Sequence, residues 1–146
     1  MLYKCNEKEV ALSSEIEYIQ NYFDLEKLRY HEDVRIQFLT NLKEDQQIKI
    51  APLLFTPFLE NAIKHGLNQP SGPAFIECSL SVAQNVLNFS ISNSLSNSGK
   101  DYKDGGIGLT NIKRRLELIY PNKHQLSIQK EKDKFVVHLI LNLQEE

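Results

Sequence analysis

Three stretches of the chain repeat apolar residues at intervals of three and four, and the segments between them alternate apolar with polar residues. Ile16, Ile19 and Phe23, with Tyr22 beside them, follow the first spacing. Phe55, Phe58, Leu59, Ala62 and Ile63 follow it in the middle of the chain, and Leu109, Ile112, Leu116 and Ile119 near its end. Such spacing lines one face of an α-helix, because a turn takes about 3.6 residues. Val34, Ile36 and Phe38 instead alternate, as a half-buried strand requires, and 33–40 reads as one. Further strands are expected at 48–50, 74–82, 86–92, 124–130 and 134–143. The order helix, hairpin, helix, hairpin, helix, hairpin predicts an α+β fold with a mostly antiparallel sheet and helices on one face.

Local signals set the boundaries. Residues 1–12 read as a connector, and 13–146 as one domain. Ser14 and Glu17 have the spacing of a capping box at the first helix start. Pro57 suits the first turn of the middle helix, and Gly66 suits the left-handed residue that ends one. Gln84-Asn85 and Glu131 to Asp133 are turns. Residues 93–106 are the longest polar stretch, and a loop of that length in a compact domain is usually functional or mobile. Leu109 to Tyr120 reads as the last helix, with Pro121 past its end.

Composition narrows the function. At 146 residues, 41% hydrophobic and 25% charged, the chain has enough apolar surface for one core and is not of the disordered class. A net charge of −2 excludes a chain-wide basic footprint for nucleic acid. No apolar run approaches the ~20 residues of a membrane helix, and no secretory signal is read at Met1 to Asn6. Cys5 and Cys78 lack metal-ligand spacing, so a reducing cytoplasm is expected.

Three places carry candidate chemistry. Glu60, Asn61, Lys64 and His65 share the side of the middle helix away from Ala62 and Ile63. They offer a carboxylate, an amide oxygen for a hard cation and an ammonium for phosphate, or simply an amphipathic helix end with a Glu–Lys pair. Gly105-Gly106-Ile107-Gly108-Leu109 precedes a helix, where backbone N–H groups and the helix dipole favour phosphate; a flexible turn is the plainer reading. Asn93 at a strand end could hydrogen-bond a base edge or form a turn. His31, His65, His124 and His138 show no metal spacing. Lys113, Arg114 and Arg115 read as a solvated helix face.

Taken together, these segments resemble the ATP-binding domain of the GHKL superfamily, and more narrowly the LytS-type sensor histidine kinases. Pro57 to Gly66 (P-F-L-E-N-A-I-K-H-G) is similar to that family's N box, and Gly105 to Leu116 (G-G-I-G-L-T-N-I-K-R-R-L) to its glycine-rich box and the helix behind it. Ser13 to Arg29 resembles the helix leading into the domain. The resemblance implies a Bergerat fold, a two-layer α/β sandwich, with ATP under a lid formed by the long loop. By position, Asn61 would hold Mg²⁺, Glu60 would orient or deprotonate the acceptor, and Lys64 would sit near phosphate. Gly106 and Gly108 would let the lid close and bring backbone to the phosphates, Ile107, Leu109 and Asn111 beside them would belong to the ATP site, and Asn93 would meet adenine.

Two departures stand out. The family usually has an Asp where Asn93 stands, so an adenine contact here lacks charge assistance. Nothing resembles the family's phosphorylated-histidine motif, Pro-His-Phe-Leu-Phe-Asn, so none of the four histidines is the acceptor. The implied function is the catalytic domain of a histidine kinase using ATP and Mg²⁺. Its expected partners are an upstream histidine-bearing dimerisation domain of the same protein and a response regulator. The domain would be cytoplasmic, with a membrane reached only through the full-length parent. A nucleotide-sensing or pseudokinase module, or a serine kinase of the anti-sigma type, are the alternatives.

Overall fold

A computed structural model describes residues 8–30, 34–43, 46–67, 73–95 and 106–144. Strand β1 (Val10–Ala11) leads into helix α1 (Leu12–Arg29), followed by β2 (Val34–Thr40), β3 (Lys49–Ile50) and α2 (Thr56–Gly66). The hairpin β4 (Ala74–Ala83) and β5 (Val86–Ser94) comes next, then α3 (Gly106–Ile119), β6 (His124–Lys130) and β7 (Lys134–Asn142). Five strands form one sheet in the order β2-β4-β5-β7-β6, parallel only between β2 and β4. The expected α+β class, with a mostly antiparallel sheet and helices on one face, is what the structure has.

Strand alternation builds the core. Ile76, Cys78 and Leu80 of β4, Leu87, Phe89 and Ile91 of β5, and Phe135, Val137, Leu139 and Leu141 of β7 are buried on the helix-covered face. The Phe89 ring meets Phe55 at 4.6 Å and Phe58 at 5.7 Å between centroids, which seats α2 on the sheet centre. Helix α1 packs on β2, with Phe23 6.2 Å from Phe38, and α3 packs on α2 and β6. Gln84 and Asn85 join β4 to β5 with both φ angles positive, 51° and 63°. That backbone matches the twist of a two-residue hairpin.

Several expectations need correction. The strand pair at 33–40 and 48–50 is not a hairpin. β2 pairs in parallel with β4, Val34 opposite Ala74, while β3 pairs with β1, Val10 opposite Ile50. Alternation marks a strand but does not choose its neighbour. The Ser14 capping box does not form either, because α1 starts earlier, with Leu12 fully buried. Its N-cap is Ala11, without a side-chain bond, and the Leu12 N–H donates to the Ile48 carbonyl at 2.7 Å. Helix α3 starts at Gly106 rather than Leu109, so Gly106 and Gly108 lie in its first turn. The long polar loop falls, over 96–105, outside the described residues, as do Cys5, His31 and Gly105.

Candidate functional site

The site is built on α2, whose apolar stripe of Phe58, Leu59, Ala62 and Ile63 is buried as the sequence predicts. That burial leaves Glu60 and Lys64 exposed and Asn61 and His65 half-buried along the other side. Helix α1 flanks this side. Burial, then the Glu26 and Glu60 carboxylates, holds the Tyr22 phenol un-ionised, pushed up to about 12. Burial, then the Lys64 ammonium, lowers the His65 imidazole below its ordinary value. Both causes disfavour the imidazolium, against the preference of a helix C-terminus for a cation.

The close of α2 corrects another expectation. Gly66 does not end the helix in a left-handed turn; it is the last helical residue, and Leu67 follows with φ −113° and ψ −30°. Glycine is needed here for proximity. A Cβ at Gly66 would lie 2.8 Å from Asn93 Cβ, closer than carbon atoms pack. Gly108, by contrast, faces open space, with nothing within 4 Å of an added Cβ.

Asn93 is the outlier of the sheet. It points into an otherwise apolar row, opposite Ile76 of β4 and Phe135 of β7, and is only 1% exposed. A buried amide needs partners. Its Nδ2 donates to the Ser94 carbonyl at 2.8 Å, which assigns the nitrogen end of the amide and turns the oxygen the other way. The neighbouring Ser94 Oγ donates to the Gly66 carbonyl at 3.1 Å and accepts the Phe75 N–H at 3.0 Å. An Asp in this position would set a carboxylate oxygen against the Ser94 carbonyl. The neutral side chain therefore suits this backbone better than an acid.

The remaining expected residues separate. Gly106, Ile107 and Gly108 supply first-turn backbone to α3, where N–H groups lack helical partners. Leu109 is fully buried, so only its main chain could meet a ligand, and Asn111 is exposed one turn on. Among the described residues no three His, Cys, Asp or Glu side chains cluster as a metal site.

Sequence reading missed a second cluster. Arg115 is not merely solvated: its Nη2 donates to the Pro52 carbonyl at 2.6 Å and its Nη1 to that of Leu53 at 3.4 Å. The Leu53 N–H donates to Glu15 Oε1 at 2.8 Å, and the Ala51 N–H to the Tyr120 hydroxyl at 2.9 Å. Glu15 is 1% exposed, and burial raises its carboxyl above the usual range against the Leu53 bond and Arg115. Only the buried glutamate's place on the apolar side of α1 signals this, since Leu53 adopts φ 55° without a glycine to announce it.

No established protein-family profile matches the chain. It is 28% identical to the uncharacterized protein YwpD of Bacillus subtilis over 120 residues, covering 73% of this chain and 42% of that protein. It is 26% identical to the sensor protein LytS of Oceanobacillus iheyensis over 157 aligned positions, covering 93% of this chain and 26% of LytS. The chain thus spans less than half the length of either relative. The catalytic domain of histidine kinase ThkA, in a nucleotide-free form, superposes with a TM-score of 0.63 at 15% identity, over 92% of this chain and 94% of that one. ThkA has also been solved in complex with the response regulator protein TrrA, with a TM-score of 0.56 at 14% identity over 93% of this chain and 41% of that one.

Two outcomes are expected. Gly66→Ala should destabilise the chain by about 1–3 kcal/mol in chemical denaturation, through overpacking against Asn93, whereas Gly108→Ala should not. In an NMR titration the His65 midpoint should lie below that of an ordinary histidine, and Lys64→Gln should raise it. The same depression means that His65 contributes stability above the unfolded value, lost as pH falls through the folded one.

The fold is that of histidine kinase catalytic domains, and the sequence resemblance runs to the LytS-type sensors.

Proposed function

We propose that the chain is the ATP-binding catalytic domain of a two-component sensor histidine kinase. It binds Mg-ATP and passes the γ-phosphoryl group to a histidine on a dimerisation helix of the same protein, outside these residues. A response regulator then takes the phosphoryl group. The observation that supports this most is the buried Asn93 amide in an apolar row, directly against the end of the helix that carries Glu60, Asn61 and Lys64. A hydrophobic floor with one oriented acceptor suits a purine, and the exposed Lys64 ammonium and half-buried Asn61 amide of α2 suit its phosphates.

The residues take distinct parts. The Asn93 carbonyl oxygen accepts from the adenine amino group. Lys64 neutralises phosphate charge, and the first-turn N–H groups from Gly106 to Leu109 receive phosphate oxygens. Asn61 offers its amide oxygen to Mg²⁺, with Asn111 bordering the same space. Bound Mg²⁺ supplies charge neutralisation, which phosphoryl transfer needs more than covalent help. Glu60 orients or deprotonates the accepting imidazole. The parent's membrane attachment is part of this reading, by likeness to LytS; among the described residues no helix is long and apolar enough to cross a membrane.

The test is autophosphorylation in a protein that joins this chain to its upstream helices. Asn61→Ala and Asn61→Asp should each reduce the rate by at least about a hundredfold with the fold unchanged by circular dichroism. Normal phosphorylation in either variant overturns the metal assignment.

A further inference from the structure

The backbone from Ile48 to Leu53 is a strap caught between two helices. From α1 come the Leu12 N–H, donating to the Ile48 carbonyl at 2.7 Å, and Glu15 Oε1, accepting the Leu53 N–H at 2.8 Å. From α3 and the residue after it come Arg115, donating to the Pro52 carbonyl at 2.6 Å, and the Tyr120 hydroxyl, accepting the Ala51 N–H at 2.9 Å. The strap runs straight into α2, whose N-cap Phe55 has no side-chain cap. The start of α2 is therefore fixed by the strap and by Phe55 packing rather than by a cap of its own.

The strap is held away from its relaxed shape. Leu53 sits at φ 55°, which costs a residue with a Cβ roughly 1–2 kcal/mol. Glu15 Oε2 is buried with no hydrogen-bond partner, although its other oxygen is used. A buried, half-satisfied carboxylate and a left-handed leucine persist only where surrounding contacts over-determine them. A plain core position would be filled at lower cost by a leucine.

We propose that Glu15 is a positioning residue for the nucleotide site: by gripping Leu53 it sets where α2 begins, and so ties the placement of Asn61 and Lys64 to α1. Its effect on nucleotide rests on the function proposed above; its effect on α2 does not. Arg115 holds the same strap from α3, so the helix that opens with Gly106 and the helix that carries Asn61 share one fixed point.

The whole chain is compared with Glu15→Met, which keeps volume but cannot accept the bond, and Glu15→Gln, which can. Amide hydrogen exchange and Mg-ATP calorimetry are run where circular dichroism shows each variant fully folded. Glu15→Met should speed exchange over 53–63 at least about tenfold beyond any change in β4 and β5, and weaken Mg-ATP at least about fivefold. Glu15→Gln should keep both within about twofold. Uniform acceleration across the sheet and α2, or unchanged nucleotide affinity in a folded Glu15→Met, overturns the proposal. If the parent chain binds no nucleotide, the functional reading fails, and the exchange pattern alone decides the role of Glu15. If Glu15→Met does not fold, Arg115→Gln is read by the same local exchange criterion.

Discussion

The closeness of α2 to the central strand is what the rest of the molecule depends on. Gly66 lies so near Asn93 that no side-chain carbon fits between them. That contact, with Phe55 and Phe58 stacked over Phe89, presses one helix onto the middle of the sheet. It also decides which α2 residues remain outside the core. With the stripe from Phe58 to Ile63 committed to packing, Glu60 and Lys64 are left to solvent, and Asn61 to the border between.

The same contact explains why a polar side chain survives in an apolar row. Asn93 is buried between Ile76 and Phe135, but it is neutral and its nitrogen is bonded to the Ser94 carbonyl. Ser94 in turn bonds the end of α2 and the start of β4. A charged residue would face both desolvation and the nearby carbonyl dipole. One neutral amide thus sits in a dry core with its nitrogen satisfied. At the other end of α2, the bonds from Glu15, Arg115 and Tyr120 do for irregular backbone what strand pairing does for the sheet.

Much of this was legible in the sequence because periodicity is written residue by residue. The stripe of α2, the α3 stripe from Leu109 to Leu116, the β4–β5 turn at Gln84-Asn85 and the side of α2 that carries Glu60, Asn61 and Lys64 follow from spacing alone, whereas Ile119, expected on the α3 stripe, is exposed and Tyr120 is buried instead. What was not legible depends on contacts between distant residues. Nothing local says that β2 should pair with β4, that Val10 should claim Ile50, or that Gly66 answers to Asn93 rather than to a turn. Arg115 read as solvated because its partners are main-chain carbonyls, which carry no sequence signature. Leu53 gave no warning because its left-handed backbone is imposed by those partners.

The most direct measurement is amide hydrogen exchange on the chain with and without millimolar Mg-ATP. Bound nucleotide should slow exchange at the end of β5 around Asn93, along α2 from Glu60 to Gly66 and in the first turn of α3. The outer strand β6 and the β4–β5 turn should be unchanged. Protection absent from those three segments, or confined to other parts of the fold, would contradict a nucleotide site between α2, Asn93 and α3.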